Sequence, residues 1–262
     1  MATRDVSRDF DLLSSVYDET RHPLDNETIE NLHRFFAEHG WNVVLEVGVG
    51  TGRVAGPLRE RGVRIYGLDA SRGMLRRAAG KGLPYLVRGT AYRLPFPDRT
   101  FDVGLFVHVL HILDRPEVAL AEVARVGTGG ALAVMDRPWR EDSPARGPDD
   151  EPRQIVRQVL AEAGYPDMVR GGPRVREREI LQKFPPHEVR LLSDRVVTEP
   201  LGRWLNVLEK RGYRHLLRVP PDVLARAVAQ ARERVGDRTV TFHRREAVAW
   251  WPDPPGPDPA PK

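Results

Sequence analysis

Three glycines at alternate positions between two apolar segments constrain this chain more than any other feature. The segments 42–47 and 63–69 are short and rich in Val, Leu and Ile, and a helix-compatible segment precedes the second. Such short apolar runs are typical of buried strands. The glycines directly after the first segment are Gly48, Gly50 and Gly52. The order predicts a β-loop-α-β unit with a glycine turn at its first strand end.

This unit predicts a site for a nucleoside-like ligand. Glycines tolerate positive φ and let a ligand approach without a Cβ in the way. The helix that follows presents unpaired N–H groups and the positive end of its dipole. Asp69 ends the second strand, where a carboxylate can accept hydrogen bonds from ribose hydroxyls. The alternative is a glycine-rich turn that binds no ligand.

The glycine spacing separates two kinds of nucleotide cofactor. A dinucleotide fingerprint, G-x-G-x-x-G, would need glycine at Arg53. The observed pattern from Glu46 to Gly52 is E-x-G-x-G-x-G, which resembles motif I of the class I S-adenosylmethionine-dependent methyltransferases. The resemblance implies that this loop holds the amino-acid end of the cofactor and that Asp69 holds its ribose.

Further motifs resemble the same family. The segment 10–21 is similar to the family's F-D-x-x-A-x-x-Y-D-x-x-R, with Ser14 in place of alanine. The resemblance implies that Tyr17 and Arg21 lie over the bound cofactor. The alternative is an ordinary amphipathic helix end.

Two more segments resemble the family's contacts to adenine. Residues 69–75 are similar to its D-x-S-x-x-M-L run, which implies that Met74 packs against adenine, although a core role is equally compatible. Residues 89–98 resemble G-D-A-x-x-L-P-F-x-D with Thr90 in place of aspartate, so adenine recognition would rely more on the backbone of Ala91. The residues assigned to S-adenosylmethionine, and to its product S-adenosylhomocysteine, are Tyr17, Arg21, Glu46, Gly48, Gly50, Thr51, Gly52, Asp69, Ala70, Met74, Thr90, Ala91 and Val107.

Candidate catalytic and substrate residues follow the fourth and fifth predicted strands, because ligands bind at the carboxyl ends of such strands. His108 is the first residue after the strand 100–107 and is the candidate general base or acceptor-orienting group. It could also be a polar pocket or turn residue. His111 and Asp136 are candidate substrate contacts, although His111 could be structural and Asp136 an N-cap.

The resemblance implies an α/β fold: a doubly wound, Rossmann-like, mostly parallel seven-stranded sheet whose last strand is antiparallel. We expect N-terminal helices, including one over 6–17, and a helical insertion before the last strand, including a helix over 201–217. The predicted organisation is a helical lid (1–40), a methyltransferase domain (41–250) with its insertion (199–236), and a disordered Pro-rich tail (251–262).

Composition narrows the chemistry. The chain has no cysteine, which excludes disulfides, cysteine-ligated zinc and iron–sulfur radical chemistry. No metal site is predicted. No apolar run is long enough to span a bilayer and the N-terminus lacks an apolar signal region, so a cytoplasmic protein is expected.

The predicted partner is a small-molecule acceptor methylated on O, N or C. The net charge is +4, and the segment 170–218 carries twice as many basic as acidic residues. This segment could bind RNA phosphates or be a solvated face, and the second interpretation is favoured. An RNA or protein methyltransferase and a non-catalytic S-adenosylmethionine-binding module are the alternatives. A homodimer is compatible with the sequence.

Overall fold

The computed structural model describes residues 7–22, 24–136, 151–166 and 177–254 and contains one seven-stranded sheet. Its strands run in the order β3-β2-β1-β4-β5-β7-β6. The first five strands are parallel, and β7 pairs antiparallel with both β5 and β6. The strands are β1 Val43–Val47, β2 Arg64–Asp69, β3 Leu86–Arg88, β4 Val103–Val107, β5 Ala131–Asp136, β6 Glu188–Pro200 and β7 Thr239–Trp251. The predicted fold class is confirmed.

Ten α-helices are found within the described ranges. They are α1 Ser7–Leu13, α2 Tyr17–Thr20, α3 Asn26–Glu38, α4 Ala55–Glu60, α5 Arg72–Gly80, α6 Pro116–Val126, α7 Glu151–Glu162, α8 Glu177–Lys183, α9 Gly202–Glu209 and α10 Pro221–Val235. None of these helices has the length and apolarity needed to cross a bilayer.

Two apolar cores lie on opposite faces of the sheet. In the first, residues such as Val44 and Leu105 pack against α3 and α4, while in the second, Leu45 and Phe106 pack against α6. Neighbouring residues of one strand enter different cores because side chains alternate across a strand. The central strands are therefore buried on both sides, which suits a parallel sheet.

The helical insertion lies between β6 and β7 and forms a third core with α7. It contains α9, a 3-10 helix at Arg214–Arg218, and α10. The single helix predicted over 201–217 is wrong, because α9 ends at Glu209. Arg211 has a φ of 51°. A Cβ on Gly212 would lie 2.7 Å from Thr20. The chain therefore turns here and lies close to α2.

Two other predicted boundaries differ from the structure. The helix expected over 6–17 is two helices, α1 and α2, and the hydroxyl of Ser14 donates to the carbonyl of Asp11 (2.7 Å) at the break. The predicted tail includes Trp251, but this residue ends β7 and is buried. The remainder of that prediction, from residue 255 onward, lies outside the described residues.

The packing of α6 on β4 predicts a large effect of one methyl group. A Cβ on Gly104 would lie 2.0 Å from Cγ1 of Val123, a fully buried residue of α6. We expect Gly104→Ala to destabilise the protein by about 1–3 kcal/mol or more, since overpacking forces side chains or backbone to move. Thermal or denaturant unfolding measures the change.

The matched control is Gly56→Ala in α4, where a Cβ meets no atom within 4 Å. Alanine there should be neutral or stabilising by up to about 1 kcal/mol, because alanine favours helix. Equal effects of the two substitutions would contradict the described packing.

Candidate active site

Asp69 connects the glycine loop to the next helix. It is the last residue of β2 and is half-buried. Its Oδ2 accepts from the N–H of Gly50 (2.9 Å), and its Oδ1 accepts from the N–H of Ser71 (2.8 Å). Burial raises the pKa of Asp69 above its usual value, although these backbone donors act in the opposite direction. One carboxylate thus fixes the spacing between the loop and the start of α5.

Glycine is required at the three loop positions for different steric reasons. All have positive φ: 78° at Gly48, 56° at Gly50 and 77° at Gly52. A Cβ on Gly48 would lie 2.5 Å from Val109, and one on Gly52 would lie 2.3 Å from Leu83. The nearest atom to a Cβ on Gly50 is 3.9 Å away. Gly48 and Gly52 therefore permit close internal packing, while Gly50 leaves open space beside the backbone.

Glu46 supplies a buried acid beneath this loop. It belongs to β1, and only 3% of its surface is exposed. Burial and the nearby charge of Asp69 raise its pKa from 4.5 to about 8, against a lowering hydrogen bond from the Ala55 backbone. Oε2 of Glu46 has no hydrogen-bond partner within the described part of the chain. A buried acceptor without a partner is costly, and a ligand donor would remove that cost.

These features fit S-adenosylmethionine. Glu46 offers an unsatisfied acidic oxygen for an ammonium group, Gly50 offers open backbone, and Asp69 offers a carboxylate for hydroxyl groups. The resemblance assigned these three residues to the cofactor, and the structure brings them together at the carboxyl ends of β1 and β2.

The N-terminal helix α1 is attached to this region through Asp11. Its Oδ1 accepts from the hydroxyl of Ser71 (2.7 Å) and from the N–H of Gly73 (2.6 Å). These hydrogen bonds lower the pKa of Asp11. Asp11 therefore caps the start of α5 together with Ser71, whose hydroxyl accepts from the N–H of Met74.

The short helix α2 is attached to the loop itself. The hydroxyl of Thr51 donates to Asp18, and Lys81 pairs with the other oxygen of Asp18 at 2.6 Å. The Arg21 guanidinium lies 4.7 Å from the ring centroid of Tyr17 and 5.2 Å from that of Tyr213 in the insertion. The contact of Asp18 with Thr51 thus brings α2, which begins at Tyr17, to the glycine loop, and Arg21 lies between Tyr17 and Tyr213 of the insertion.

Sequence reasoning assigned no role to Asp11, Asp18 or Arg53. The two aspartates stand in the N-terminal motif, so a signal for them was present. Arg53 follows the last loop glycine, and its guanidinium donates to the carbonyl of His22. Burial lowers the pKa of Arg53. This contact adds a further link between the loop and the N-terminal segment.

His108 lies at the end of β4 beside two charged residues of β7. Its backbone N–H donates to the carbonyl of Val134 (3.0 Å). The ring nitrogen Nε2 lies 3.2 Å from Oε2 of Glu246. Nη2 of Arg244 lies 3.1 Å from Oε1 of Glu246. Burial acts to raise the pKa of Glu246, but His108 and Arg244 outweigh it and the net shift is downward.

Sequence reasoning missed Glu246 and Arg244. The signal was an acid directly before the apolar run 247–251 in a predicted strand. Its contact with His108 could not be predicted, because it depends on the order of strands in the sheet.

The other candidate substrate residues are placed differently. His111 belongs to a 3-10 helix, Leu110–Ile112, and its Nδ1 lies 3.3 Å from Glu177 of α8. This ion-pair geometry links the loop after β4 to α8. Asp136 ends β5 and is paired in register with Glu246. The side chain of Asp136 is not among the described parts of the chain.

The remaining residues predicted to contact the cofactor, which include those predicted near adenine, lie in or beside α5, the loop after β3 and the end of β4. Met74 is buried in α5, and Ala70 is exposed at the turn before that helix. Thr90 is exposed, and its hydroxyl accepts from the N–H of Tyr92 (3.3 Å). Ala91 and Val107 are half-buried. Within the described ranges, no group of three His, Cys, Asp or Glu residues could hold a metal ion.

Comparison with known proteins finds a similarity to methyltransferases over part of the chain. Residues 45–135 match the family model of a methyltransferase domain. A phosphatidylethanolamine N-methyltransferase of Cereibacter sphaeroides is 38% identical over 109 residues, which are 38% of this chain and 53% of that protein. A demethylmenaquinone methyltransferase of Corynebacterium kroppenstedtii is 34% identical over 139 residues, 51% of this chain and 60% of that protein. The resemblance found in the sequence motifs is confirmed.

The similarity to these relatives is partial, since the chain spans 53% and 60% of their lengths. The crystal structure of a putative methyltransferase from an antibiotic biosynthesis pathway of Anabaena variabilis is similar to this chain, with a TM-score of 0.53. The match covers 86% of this chain and 99% of that chain at 13% identity, and it shows the fold alone.

The raised pKa of Glu46 predicts a pH-dependent stability. Between pH 4.5 and about 8 the folded protein keeps this proton while the unfolded chain releases it. Folding stability from this group is therefore present at low pH and is lost as pH rises through 8. We expect Glu46→Gln to raise the melting temperature relative to wild type more at pH 9 than at pH 5.

Thermal unfolding at the two pH values measures this difference. Glu60→Gln, at an exposed position of α4, is the control for loss of a carboxylate from the same region. A Glu46→Gln effect that is the same at pH 5 and pH 9 would show that Glu46 is not protonated in the folded protein.

Proposed function

We propose that this chain, whose residues 45–135 match the family model of a methyltransferase domain, moves a methyl group from S-adenosylmethionine to O, N or C of a small-molecule acceptor. One observation carries the proposal: the loop with open backbone at Gly50 is hydrogen-bonded to Asp69, and the strand before it carries Glu46 with an unsatisfied buried oxygen. The arrangement suits a ligand with both an ammonium group and ribose hydroxyls.

The chain's own residues divide the binding task. Asp69 would accept from ribose hydroxyls while it keeps the loop in place. Glu46 would accept from the ammonium group, and the loop N–H groups near Gly50 and Thr51 would contact the amino-acid end. Tyr17 of α2 and Arg21, which follows it, would cover the ligand and exclude water. This covering role rests on the attachment of Asp18 to both Thr51 and Lys81.

When bound, S-adenosylmethionine supplies a methyl group on a positively charged sulfur, which is a good leaving group. The protein therefore has mainly to align the acceptor and exclude water. His108 lies past the carboxyl end of β4, at the edge of the sheet that carries the glycine loop. We assign it to orient the acceptor atom and, where that atom must lose a proton, to act as general base.

A small acceptor is supported over RNA or protein. The basic segment contributes several arginines and lysines that pair with carboxylates of this chain. Arg190 pairs with Glu38 and Glu188, Arg203 with Glu199, and Lys210 with Glu19. Charges engaged in this way contribute less to a phosphate-binding surface. The names of the two relatives, a phospholipid and a quinone methyltransferase, also support a small acceptor.

Calorimetric titration with S-adenosylhomocysteine tests the cofactor. We expect micromolar binding to the wild-type protein and none of NAD. Asp69→Ala should weaken binding by about tenfold or more, because it removes a charge-assisted acceptor worth roughly 1.5–3 kcal/mol. Asp237→Ala, at an exposed position before β7, should bind as wild type.

Three outcomes of these experiments distinguish the candidate functions. Absence of S-adenosylhomocysteine binding would contradict the proposal. Binding with no methyl transfer to any small molecule, RNA or protein tested would support the non-catalytic module instead. Transfer to RNA, with salt-sensitive RNA binding, would overturn the small-molecule assignment while it leaves the cofactor site intact.

A further inference from the structure

The contact between His108 and Glu246 joins residues from strands that are not neighbours. In the sheet, β5 lies between β4, which His108 follows, and β7, which carries Glu246. Glu246 is fully buried and stands beside the apolar residues 247–249, which are also buried. A carboxylate at such a position is expensive unless it is paired. The fold therefore buries an acid at a place where an apolar residue would be buried with a smaller free-energy cost.

The backbone of His108 is shaped for this contact. Phe106 lies in the second core, so strict alternation would direct residue 108 to the same face. Val248, two residues from Glu246 on β7, lies in the first core on the other face. His108 has a φ of 54° and so leaves the extended conformation. Left-handed backbone is unfavourable for a non-glycine residue, and such residues cluster at functional sites.

The charged groups around Glu246 keep it ionised. Arg244 contacts Oε1 from the same strand, and His108 contacts Oε2 from the end of β4. On β6 the residue in register is Ser193, whose hydroxyl lies 2.8 Å from that of Thr28 and 3.5 Å from Asp25. On β5 the residue in register is Asp136. Oε2 of Glu246 has no aligned hydrogen-bond donor within the described part of the chain, and Nε2 of His108 is the nitrogen that lies 3.2 Å from it. Because an ionised carboxylate oxygen can only accept, and two lone pairs at this distance would repel each other, the facing Nε2 should carry the hydrogen.

We propose that Glu246 is a positioning residue that holds His108 as the Nε2–H tautomer, so that Nδ1 is the basic nitrogen that receives a proton from the acceptor. The inference rests on the proposed methyl transfer and specifies it further. The acceptor atom gives up a proton to Nδ1 as it gains the methyl group. The acceptor class is therefore one with a proton to lose, such as a hydroxyl or a protonated amine, rather than a thioether or tertiary amine.

Replacement by glutamine makes a specific structural prediction. In Glu246→Gln, the amide oxygen should face Arg244, because a guanidinium can only donate. The amide NH₂ then faces His108 and needs an acceptor. Nε2 of His108 should therefore lose its hydrogen, and the ring should change to the Nδ1–H tautomer. A buried acid that fixes the tautomer of a catalytic histidine is a known device, and the corresponding amide variant yields the wrong tautomer.

Long-range ¹H–¹⁵N NMR correlation spectra test the tautomer directly. The protein has eight histidines, and loss of one signal set in His108→Gln assigns His108. At a pH where the ring is neutral, we expect the Nε2–H form in wild type and the Nδ1–H form in Glu246→Gln. The Nδ1–H form in wild type, or an unchanged tautomer in Glu246→Gln, would overturn the inference.

The matched control is Asp194→Asn on the same hairpin. Asp194 lies 3.1 Å from Nδ1 of His243 in an exposed pair. This variant removes a carboxylate from a histidine in the same way, and it should leave the His108 signals unchanged. If Glu246→Gln does not fold, the wild-type tautomer alone decides the question, and Glu246→Asp provides a second variant that keeps the charge.

Two further readouts separate this inference from the proposed function. Glu246→Gln should bind S-adenosylhomocysteine with wild-type affinity, because Glu246 is not assigned to the cofactor. With an acceptor in hand, its kcat should fall by roughly 10²–10⁴-fold, the usual contribution of a general base, while KM changes little. A failed tautomer test with intact S-adenosylhomocysteine binding overturns the inference alone. Absence of that binding in wild type overturns the proposed function instead.

Discussion

The rest of the site depends on the two hydrogen bonds that the carboxylate of Asp69 accepts. Its two oxygens accept from Gly50 in the loop and from Ser71 at the start of α5. Since Asp69 ends β2 and the loop follows β1, the parallel pairing of these strands brings the acid to the loop. Asp11 of α1 then joins the same turn through Ser71 and Gly73. One acid thus organises the loop, and a second attaches the N-terminal helices to it.

The antiparallel hairpin β6–β7 contributes the other half of the site. It extends the sheet beyond β5 and carries the insertion with α9 and α10. Glu246 and Arg244 of β7 contact the end of β4 from this side. The proposed base, His108, thus lies in the same half of the chain as the residues assigned to the cofactor, whereas Glu246 comes from the other half, and the order of the strands brings the two together.

Much of this arrangement could be predicted from the sequence because local patterns determine it. The glycine spacing and the two short apolar segments predicted the β1-loop-α4-β2 unit. The order of the later motifs predicted the other parallel strands. The location of Asp69 beside the glycine loop followed from its position at a strand end. Helix boundaries were less predictable where the chain turns for tertiary reasons, as at Arg211, which has a left-handed backbone, and at Gly212, which lies close to Thr20 of α2.

Interactions between distant segments could not be predicted. The pairing of His108 with Glu246 requires both the sheet order and a left-handed backbone at His108, and neither is encoded in a short motif. The unsatisfied oxygen of Glu46 likewise appears only when the packing around β1 is known. These are also the residues with unusual burial or backbone conformation, as expected where function competes with stability.

A crystal structure of the complex with S-adenosylhomocysteine would test the central claim most directly. The account predicts the ribose at Asp69, the ammonium group at Oε2 of Glu46, and the ligand backbone alongside Gly50, with Tyr17 and Arg21 over it. The sulfur should face the side of the loop on which His108 lies. A ligand bound elsewhere on the molecule, or a Glu46 whose Oε2 still has no partner in the complex, would contradict the account.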